Sequence, residues 1–377
     1  MGKANKRVET NLNVIAMKIL VIHPYLSDIG GAEEVLINIL EALMKRKHDV
    51  FVLGKFPKKS EFEKIASANI TQIPYDSSGF EIKRFQAYQK LLFKHDFLRN
   101  KLSKKIGHVD LEISTQDPMF FLGVGKKQIA YVHFPENLTR LMEGGNRRSK
   151  FFWKLFYLPI SLRLRQRVSK ANLLLCNSEY TKDAIMRYWG ITALVVYPPV
   201  DVNDFHPAPK EDFVVSVGRF VPIKNYELIV EVAKLMPSLK FIIIGRRRVS
   251  DDYYEKIKRL KPANVELIGD ATRSEIVSKL SRAKIYLHAM VGEHFGISVV
   301  EAMAAGCIPI VHDSGGPKEV IGPFGYVYKS TAECVECVNK ALESKIEPQK
   351  IAERTKHFSS ENFKKNFARA LEACGFL

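Results

Sequence analysis

A proline-rich stretch, residues 198–209, divides this sequence into two halves that carry the same order of predicted elements. The first half opens with the apolar run Met17–His23, continues through the glycine pair at 30–31, and then has apolar residues at helical spacing from Ala32. A strand, a glycine turn, a helix and a second strand form the opening of a parallel α/β sheet. Because prolines favour an extended linker, the restart of this pattern after residue 209 predicts two domains of one design.

The length of 377 residues also exceeds one ordinary domain core. We predict two Rossmann-like, doubly wound parallel-sheet domains that face each other across a cleft, at 17–205 and 206–357, and an amphipathic last helix at 358–377. The predicted strands are 17–23, 49–53, 128–132, 172–176 and 194–197 in the first half, and 213–217, 240–244, 265–268, 284–288 and 307–311 in the second. Residues 1–16 are polar, lack the hydrophobic core of a secretory signal, and are expected to form a loose extension.

Positive charge is concentrated in the first half of the chain. The net charge is +17, and residues 1–200 hold 32 Lys and Arg against 18 Asp and Glu, whereas residues 201–377 hold 26 against 23. This distribution indicates an anionic partner for the first half: nucleic acid, an acidic membrane surface or a phosphorylated substrate, with general solubility as the alternative. No recognisable nucleic-acid module accompanies the charge, so we expect no nucleic-acid partner.

Cysteine usage and hydropathy bear on the compartment. The five cysteines are odd in number and scattered, which is typical of a reducing compartment without a disulfide framework. Cys334 and Cys337 form a single C-x-x-C pair, and no second pair completes a zinc site. No run of about 18 apolar residues occurs, so the sequence predicts no membrane span. We therefore expect a cytoplasmic protein.

Two glutamates, Glu293 and Glu301, stand eight residues apart on either side of a Phe-Gly-Ile turn. The turn starts a short predicted helix at about Ile297, which Gly306 ends. A helix start presents unpaired N–H groups and a partial positive charge, which suit a phosphate, while a carboxylate on either side suits hydroxyl groups. A ligand that suits this arrangement has an anion in the middle and a polyol at each end, as a nucleotide sugar does. Taken alone, the spacing also fits an ordinary strand–loop–helix unit with solvated glutamates.

Two further loops between a predicted strand and a predicted helix carry related chemistry. Gly30 and Gly31 lack side chains that would keep backbone N–H groups from a phosphate or sugar. Arg219 and Lys224 place two cations in one loop, where they can clamp a diphosphate. Each feature has an ordinary explanation as a tight turn or a surface charge. All three loops, however, are predicted at the carboxyl ends of strands, the usual ligand site of open α/β folds.

Together these loops resemble the retaining glycosyltransferases of family 4, which have the two-domain GT-B fold. The resemblance covers the chain from Met17 onward and rests on Gly30-Gly31-Ala-Glu33, on Arg219 with Lys224, and on Glu293 with Glu301. It implies that the last helix crosses back onto the first domain. It also implies a hexosyltransferase that takes a nucleotide sugar as its donor.

The resemblance further implies a role for each site residue. Arg219 and Lys224 would bind the diphosphate, Glu301 the ribose hydroxyls, and Glu293 the transferred sugar close to the reacting carbon. His133, after a predicted strand, would contact the sugar or the surroundings of that carbon, and Asp117 is a weaker candidate of the same kind. The predicted catalytic set is Glu293, His133, Arg219 and Lys224, and the donor-binding set is Gly30, Gly31, Arg219, Lys224, Ile268, Phe295, Gly296, Ile297 and Glu301. No Asp-x-Asp sequence occurs, so neither a metal nor another cofactor is implied.

Within the family, several segments are most similar to the branch of α-1,2-mannosyltransferases that extend dolichol-linked oligosaccharides from GDP-mannose. These segments are His23-Pro-Tyr, Tyr131–Pro135, Val196–Asp201, Glu293–Gly306 and His312–Lys318. We expect the chain to depart from that branch in having no N-terminal membrane anchor, and it has Gly-Gly-Ala-Glu in place of a longer glycine run. The favoured prediction is retaining transfer of mannose to a lipid-linked or other glycan acceptor. The alternatives are a UDP-sugar-dependent glucosyl or N-acetylhexosaminyl transferase, a sugar-nucleotide epimerase on the same fold, and a basic nucleic-acid-binding protein.

Residues 147–167 combine aromatic and basic side chains in the basic half. Such a stretch suits the surface of an anionic membrane or the phosphate of a lipid-linked acceptor. A core helix with basic flanks explains it equally well. We expect peripheral contact with the cytoplasmic face of a membrane.

Overall fold

The computed structural model describes residues 16–23, 30–46, 48–54, 70–74, 98–135, 162–247 and 252–376. Two sheets dominate these residues, and every strand pair in both sheets is parallel. The first sheet contains β1 (Lys18–His23), β2 (Asp49–Gly54), β3 (Ile70–Pro74), β4 (Val109–Ser114), β5 (Gly125–Val132), β6 (Leu173–Cys176) and β7 (Leu194–Val195), in the order β3-β2-β1-β4-β5-β6-β7.

The second sheet has the same arrangement. It contains β8 (Glu211–Val217), β9 (Lys240–Gly245), β10 (Val265–Gly269), β11 (Ala283–His288), β12 (Ile308–His312) and β13 (Tyr326–Tyr328), in the order β10-β9-β8-β11-β12-β13. In each sheet the strand order reverses next to the first strand, which creates the crevice where open α/β sheets bind ligands. The predicted boundary at 205/206 falls between β7 and β8.

Helices connect the strands. They are α1 (Gly31–Met44), α2 (98–106), α3 (162–168), α4 (Glu179–Trp189), α5 (Tyr226–Leu235), α6 (Asp252–Leu260), α7 (Arg273–Arg282), α8 (Ile297–Ala304), α9 (Pro317–Ile321), α10 (Thr331–Glu343), α11 (Pro348–Thr355) and α12 (Ser360–Ala373). Within the described ranges, every helix is too short or too polar to cross a bilayer.

Continuous apolar runs explain why the central strands form. Ile19 and Val21 of β1 are fully buried, and Val21 lies between Val52 of β2 and Ile113 of β4. Strands of a parallel sheet are covered on both faces, so an uninterrupted apolar run is stable there. The α/β architecture predicted from these runs is confirmed.

Strand β4 was not predicted, although its sequence alternates apolar and polar residues as strands do. Its Glu112 is nevertheless fully buried. The carboxylate accepts hydrogen bonds from the backbone N–H groups of Gly123 (3.0 Å), Val124 (3.2 Å) and Gly125 (3.2 Å). Glu112 therefore holds the turn into β5 and is not a solvated residue of an edge strand. The short strands β3 and β13 were also missed.

The last helix, α12, packs on the first domain. Ser359 caps its N-terminus, and Phe363, Phe367 and Leu371 lie buried in the core of the first sheet with α1. Val200, in the linker, forms a parallel β-bridge with Ser359, and its N–H donates to Phe358 O at 2.9 Å. The chain thus passes between the domains twice, side by side, and the predicted return of the last helix is confirmed.

Candidate active site

The glycine loop of the first domain and the glutamate segment of the second meet at one place. α1 begins at Gly31 in the segment after β1, and α8 begins at Ile297 after β11. A Cβ atom on Gly31 would lie only 2.4 Å from Ile297 Cδ1, so the two helix starts are in close contact and a larger residue at 31 would require the Ile297 side chain to move. Two helix N-termini, each with unpaired N–H groups, therefore face the same cleft.

The backbone of the glutamate segment requires a glycine at its turn. Gly296 has a φ of 97°, and a Cβ atom there would lie 3.1 Å from both Pro317 and Val299. α8 starts directly after this turn and ends before Gly306, as predicted, with Gly306 at a φ of 78°. The turn brings the segment back over the end of β11, and it fixes where Glu293 stands relative to the helix start.

Glu293 is held beside two basic side chains. Its Oε2 lies 2.6 Å from Lys224 Nζ and 3.6 Å from Nε2 of His288, the last residue of β11. Burial alone raises the pKa of Glu293, but His288 and the charge of Lys224 outweigh it and hold that pKa well below its ordinary value. Burial lowers the pKa of His288. The site thus presents an ionised carboxylate with a cation beside it.

The loop after β8 places Lys224 against Glu293. Its residues Pro222–Lys224 form one tight turn, and Asn225 follows in a left-handed conformation with a φ of 52°. The Asn225 side-chain amide donates to Ala289 O at 3.3 Å, which fastens the loop to the end of β11. Arg219 in the same loop is exposed, and its guanidinium has no hydrogen-bond or ion-pair partner among the described residues. One cation is paired and one remains available to an anion.

Glu301, on α8, is paired with an arginine. Arg273 Nη1 lies 2.6 Å from Glu301 Oε1, and the guanidinium also donates to Asp201 O at 3.3 Å and lies 4.5 Å from the ring centre of Phe205. Burial raises the pKa of Glu301, and Arg273 acts against that rise. The pair ties the carboxylate to the linker between the domains. Sequence reasoning missed Arg273, although it starts a fourth helix after a strand, α7 after β10.

Two histidines of the first domain contact the same residue, Thr115. His133 Nε2 lies 3.1 Å from the carbonyl oxygen of Thr115, and His23 Nδ1 lies 2.6 Å from the Thr115 hydroxyl. Burial, with the nearby His23, lowers the pKa of His133 to about 4, so its ring is neutral at neutral pH. A carbonyl only accepts, so His133 Nε2 carries the proton and Nδ1 remains an acceptor. His23 and Thr115 were not predicted as site residues; the His23-Pro-Tyr segment was the available signal.

Two protein-family profiles match this chain. A profile described as Glycosyltransferase Family 4 matches residues 29–204, and one described as Glycosyl transferases group 1 matches residues 201–358. Together they cover residues 29–358, which include the three predicted loops and every strand of the two sheets except β1. This chain belongs to the family 4 glycosyltransferases. The resemblance predicted from the loops is confirmed, and the protein is an enzyme of the hexosyltransferase type.

Relatives of this glycosyltransferase include mannosyltransferases of eukaryotes. The human GDP-Man:Man(3)GlcNAc(2)-PP-Dol alpha-1,2-mannosyltransferase is 29% identical across 99% of this chain and 90% of its own length. The Saccharomyces cerevisiae alpha-1,3/1,6-mannosyltransferase is 25% identical across 81% of this chain and 71% of its own.

Solved structures share the fold. Anabaena HepE in complex with UDP-glucose covers 95% of this chain and 100% of its own at 19% identity, with a TM-score of 0.69. Sucrose-phosphate synthase from Thermosynechococcus elongatus covers 94% of this chain and 98% of its own at 15% identity, with a TM-score of 0.73. The predicted GT-B fold is confirmed by these likenesses.

Not every predicted donor residue of the glycosyltransferase lines the cleft. Phe295 is 3% exposed, and its ring packs on Tyr197 and Phe358 at centroid distances of 5.9 and 5.5 Å. Its side chain therefore belongs to the core below the linker, and only its backbone remains for a ligand. Ile268 is partly buried in β10, at the edge of the second sheet. Asp117 caps a short turn, where its carboxylate accepts from Met119 N at 2.7 Å.

Proposed function

We propose that this glycosyltransferase transfers mannose from GDP-mannose to a lipid-linked glycan acceptor, with retention of the anomeric configuration. The proposal rests mainly on its similarity to the human α-1,2-mannosyltransferase, which extends over 99% of this chain. The name of that relative specifies a GDP-mannose donor and a diphosphate-linked dolichol acceptor. The geometry of the cleft fits a donor of this class.

The difficult step is breaking the bond between the anomeric carbon and the diphosphate, during which negative charge grows on the leaving oxygen. Donors aimed in advance at that charge lower the barrier. Arg219 and Lys224 supply two cations on one loop, and the starts of α1 and α8 supply backbone N–H groups at Gly31 and Ile297. These groups provide the electrostatic stabilisation that the leaving diphosphate needs. The proposal includes neither a metal nor another cofactor.

The carboxylates hold the two sugars of the donor. Glu293, ionised beside Lys224, accepts hydrogen bonds from hydroxyls of the transferred sugar near the reacting carbon. Glu301 accepts from the ribose hydroxyls, with Arg273 fixing its orientation. Neutral His133 offers Nδ1 as an acceptor to the sugar from the first-domain side. Lys224 stands between diphosphate and sugar, so it links the two parts of the site.

A ligand screen tests the donor. A ligand present at 100 times its Kd stabilises the folded protein by about 2.7 kcal/mol, which for a chain of this size raises Tm by about 3–5 °C. We expect this rise with GDP-mannose and a smaller one with GDP, and turnover that persists in excess EDTA. A rise with UDP-sugars alone would overturn the mannosyl donor and leave the family assignment intact. Loss of turnover in EDTA would show a metal requirement.

We also propose that the first domain contacts an anionic membrane at its cytoplasmic face. Of the predicted aromatic and basic stretch, residues 147–161 lie outside the described residues, while α3 contains its end. A groove of about 240 Å³ between α2 and α3 is lined by the cations Arg99, Arg163, Arg167 and Lys170. Leu162, at the start of α3, is 57% exposed. Clustered cations beside an exposed apolar residue suit lipid phosphates at a membrane surface.

Vesicle sedimentation tests this contact. The protein is expected to bind phosphatidylserine vesicles at low salt, to be released by high salt, and to bind phosphatidylcholine vesicles weakly. A basic residue near an anionic surface contributes about 1 kcal/mol, so Arg163→Glu with Lys170→Glu is expected to weaken binding by about tenfold or more. Lys234→Glu, an exposed site on α5 in the second domain, is the matched control. Equal binding to neutral and acidic vesicles would contradict the proposal.

A further inference from the structure

A carboxylate of the second domain caps a helix of the first. Glu319, on α9, accepts from the backbone N–H groups of Glu179 (3.0 Å) and Tyr180 (3.4 Å), which open α4. Its Oε2 also accepts from the hydroxyl of Tyr197, in the linker, at 3.1 Å. The first N–H groups of a helix have no partner within it, and the helix dipole favours a negative charge there. Glu319 thus joins second domain, linker and first domain through one side chain.

The cap of α4 also reaches the segment that carries Glu293. Ser178, the N-cap residue, accepts from Thr181 N at 3.1 Å and donates to the carbonyl oxygen of His294 at 2.7 Å. The ring of His294 stacks on Phe134, which follows β5, with centroids 4.0 Å apart and planes 3° apart. Two independent contacts from the first domain therefore converge on the residue next to Glu293.

The segment before α9 locks Glu319 to Glu293. Gly316 N–H donates to Glu293 O at 2.9 Å, and a Cβ atom on Gly315 would lie 2.2 Å from that same oxygen. Backbone lies directly on backbone here, which leaves no space for one segment to shift without the other. At the far end of α9, Arg354 donates to the carbonyl oxygens of Glu319 and Val320, each at 2.7 Å. α9 is therefore held rigidly, and it connects Glu293 to α4.

We infer that Glu319 is a positioning residue for glycosyl transfer. It fixes the position of the first domain, and of the acceptor bound there, relative to Glu293. It acts through α9 and the 293–294 segment and touches neither substrate. Removing it leaves the donor loops of the second domain intact and frees α4 to move. The inference rests on the proposed function, in that Glu293 is taken as the carboxylate beside the reacting sugar.

The test compares two reactions of one enzyme: transfer from GDP-mannose to a synthetic lipid diphosphate oligosaccharide, and hydrolysis of GDP-mannose in its absence. In Glu319→Ala, transfer kcat is expected to fall by about tenfold or more, since small misplacements of reacting groups are costly. The dissociation constant for GDP-mannose and the hydrolysis rate should change little, so the ratio of hydrolysis to transfer rises. The control is Glu353→Gln, on α11, which removes an exposed carboxylate paired with Lys356. This variant is expected to keep the wild-type ratio.

Two further variants keep the inference testable if Glu319→Ala folds poorly. Glu319→Gln retains an acceptor oxygen without the charge, and Tyr197→Phe removes a single hydroxyl; both should raise the ratio by less than Glu319→Ala does. Faster hydrogen exchange at the amides of 179 and 180 with an unchanged ratio would show a structural role alone and overturn the inference. If no nucleotide sugar stabilises the wild type, the proposed function fails instead, and that result is independent of Glu319.

Discussion

Glu293→Gln is expected to reduce turnover by about 10²–10³-fold, the range observed when one group that stabilises transition-state charge is removed. The substitution keeps the shape of the side chain and removes its charge. In the wild type the carboxyl is ionised, because Lys224 at 2.6 Å and His288 at 3.6 Å lower its pKa by more than burial raises it. A neutral amide accepts sugar hydroxyls more weakly and leaves Lys224 without its partner. Initial rates at saturating donor and acceptor measure the effect.

The matched control for that variant is Glu266→Gln. Glu266 also pairs with a lysine, Lys240, at 2.8 Å, but on β10 and exposed to solvent. Both variants lose one ion pair, and a pair of this type contributes about 1 kcal/mol or less when exposed. We expect wild-type turnover from Glu266→Gln and cooperative thermal unfolding from both. Wild-type turnover from Glu293→Gln would mean that the reacting sugar binds elsewhere.

The fold was predictable wherever one local signal decided an element. Uninterrupted apolar runs predicted β1 and β9, and a serine N-cap before an amphipathic run predicted α12. β4 escaped prediction because its polar residue, Glu112, is buried by bonds to N–H groups ten or more residues away. In the sequence, a buried carboxylate that accepts hydrogen bonds from backbone N–H groups cannot be distinguished from a carboxylate that faces solvent.

The residues of the candidate site also differ in whether the local sequence made them predictable. The placement of Gly30, Gly31, Arg219 and Lys224 at or before the starts of helices was predictable from the local pattern, whereas their roles were predicted from the family resemblance. Arg273 was not predictable, because its partner Glu301 is 28 residues away and meets it only across the folded second sheet. The direction of the Phe295 ring was not predictable for a related reason. The left-handed turn at Gly296 sends its ring below the linker, and no local pattern states that direction.

Contacts between the domains were the least accessible to sequence reasoning. Glu319 and Glu179 are 140 residues apart, and each lies in a segment with an ordinary local role, one before a helix end and one at a helix start. Their meeting depends on how two separately folded sheets face each other. The restart of the strand–helix pattern after residue 209 predicted the two domains, but the side chains that hold the domains together became visible only in the structure.

Lys224→Ala is expected to lower turnover by about 10²-fold or more and to weaken donor binding as well, since charge that stabilises the leaving group acts in the ground state and the transition state. Arg219→Ala should have the smaller effect, because Arg219 is exposed and does not contact Glu293. Lys256→Ala, which breaks a 2.8 Å pair with Glu227 outside the cleft, is the control and should retain wild-type kinetics.

The decisive measurement is a double-mutant cycle between Lys224→Ala and Glu293→Gln. The two side chains are in direct contact and are proposed to serve the same bond-breaking step, so their effects should not add. Once either is gone, losing the other is expected to cost little further turnover. Fully additive losses, each of the full size, would show that Lys224 serves the diphosphate and Glu293 the sugar independently. The 2.6 Å pair would then hold the empty site in shape and have no part in the reaction.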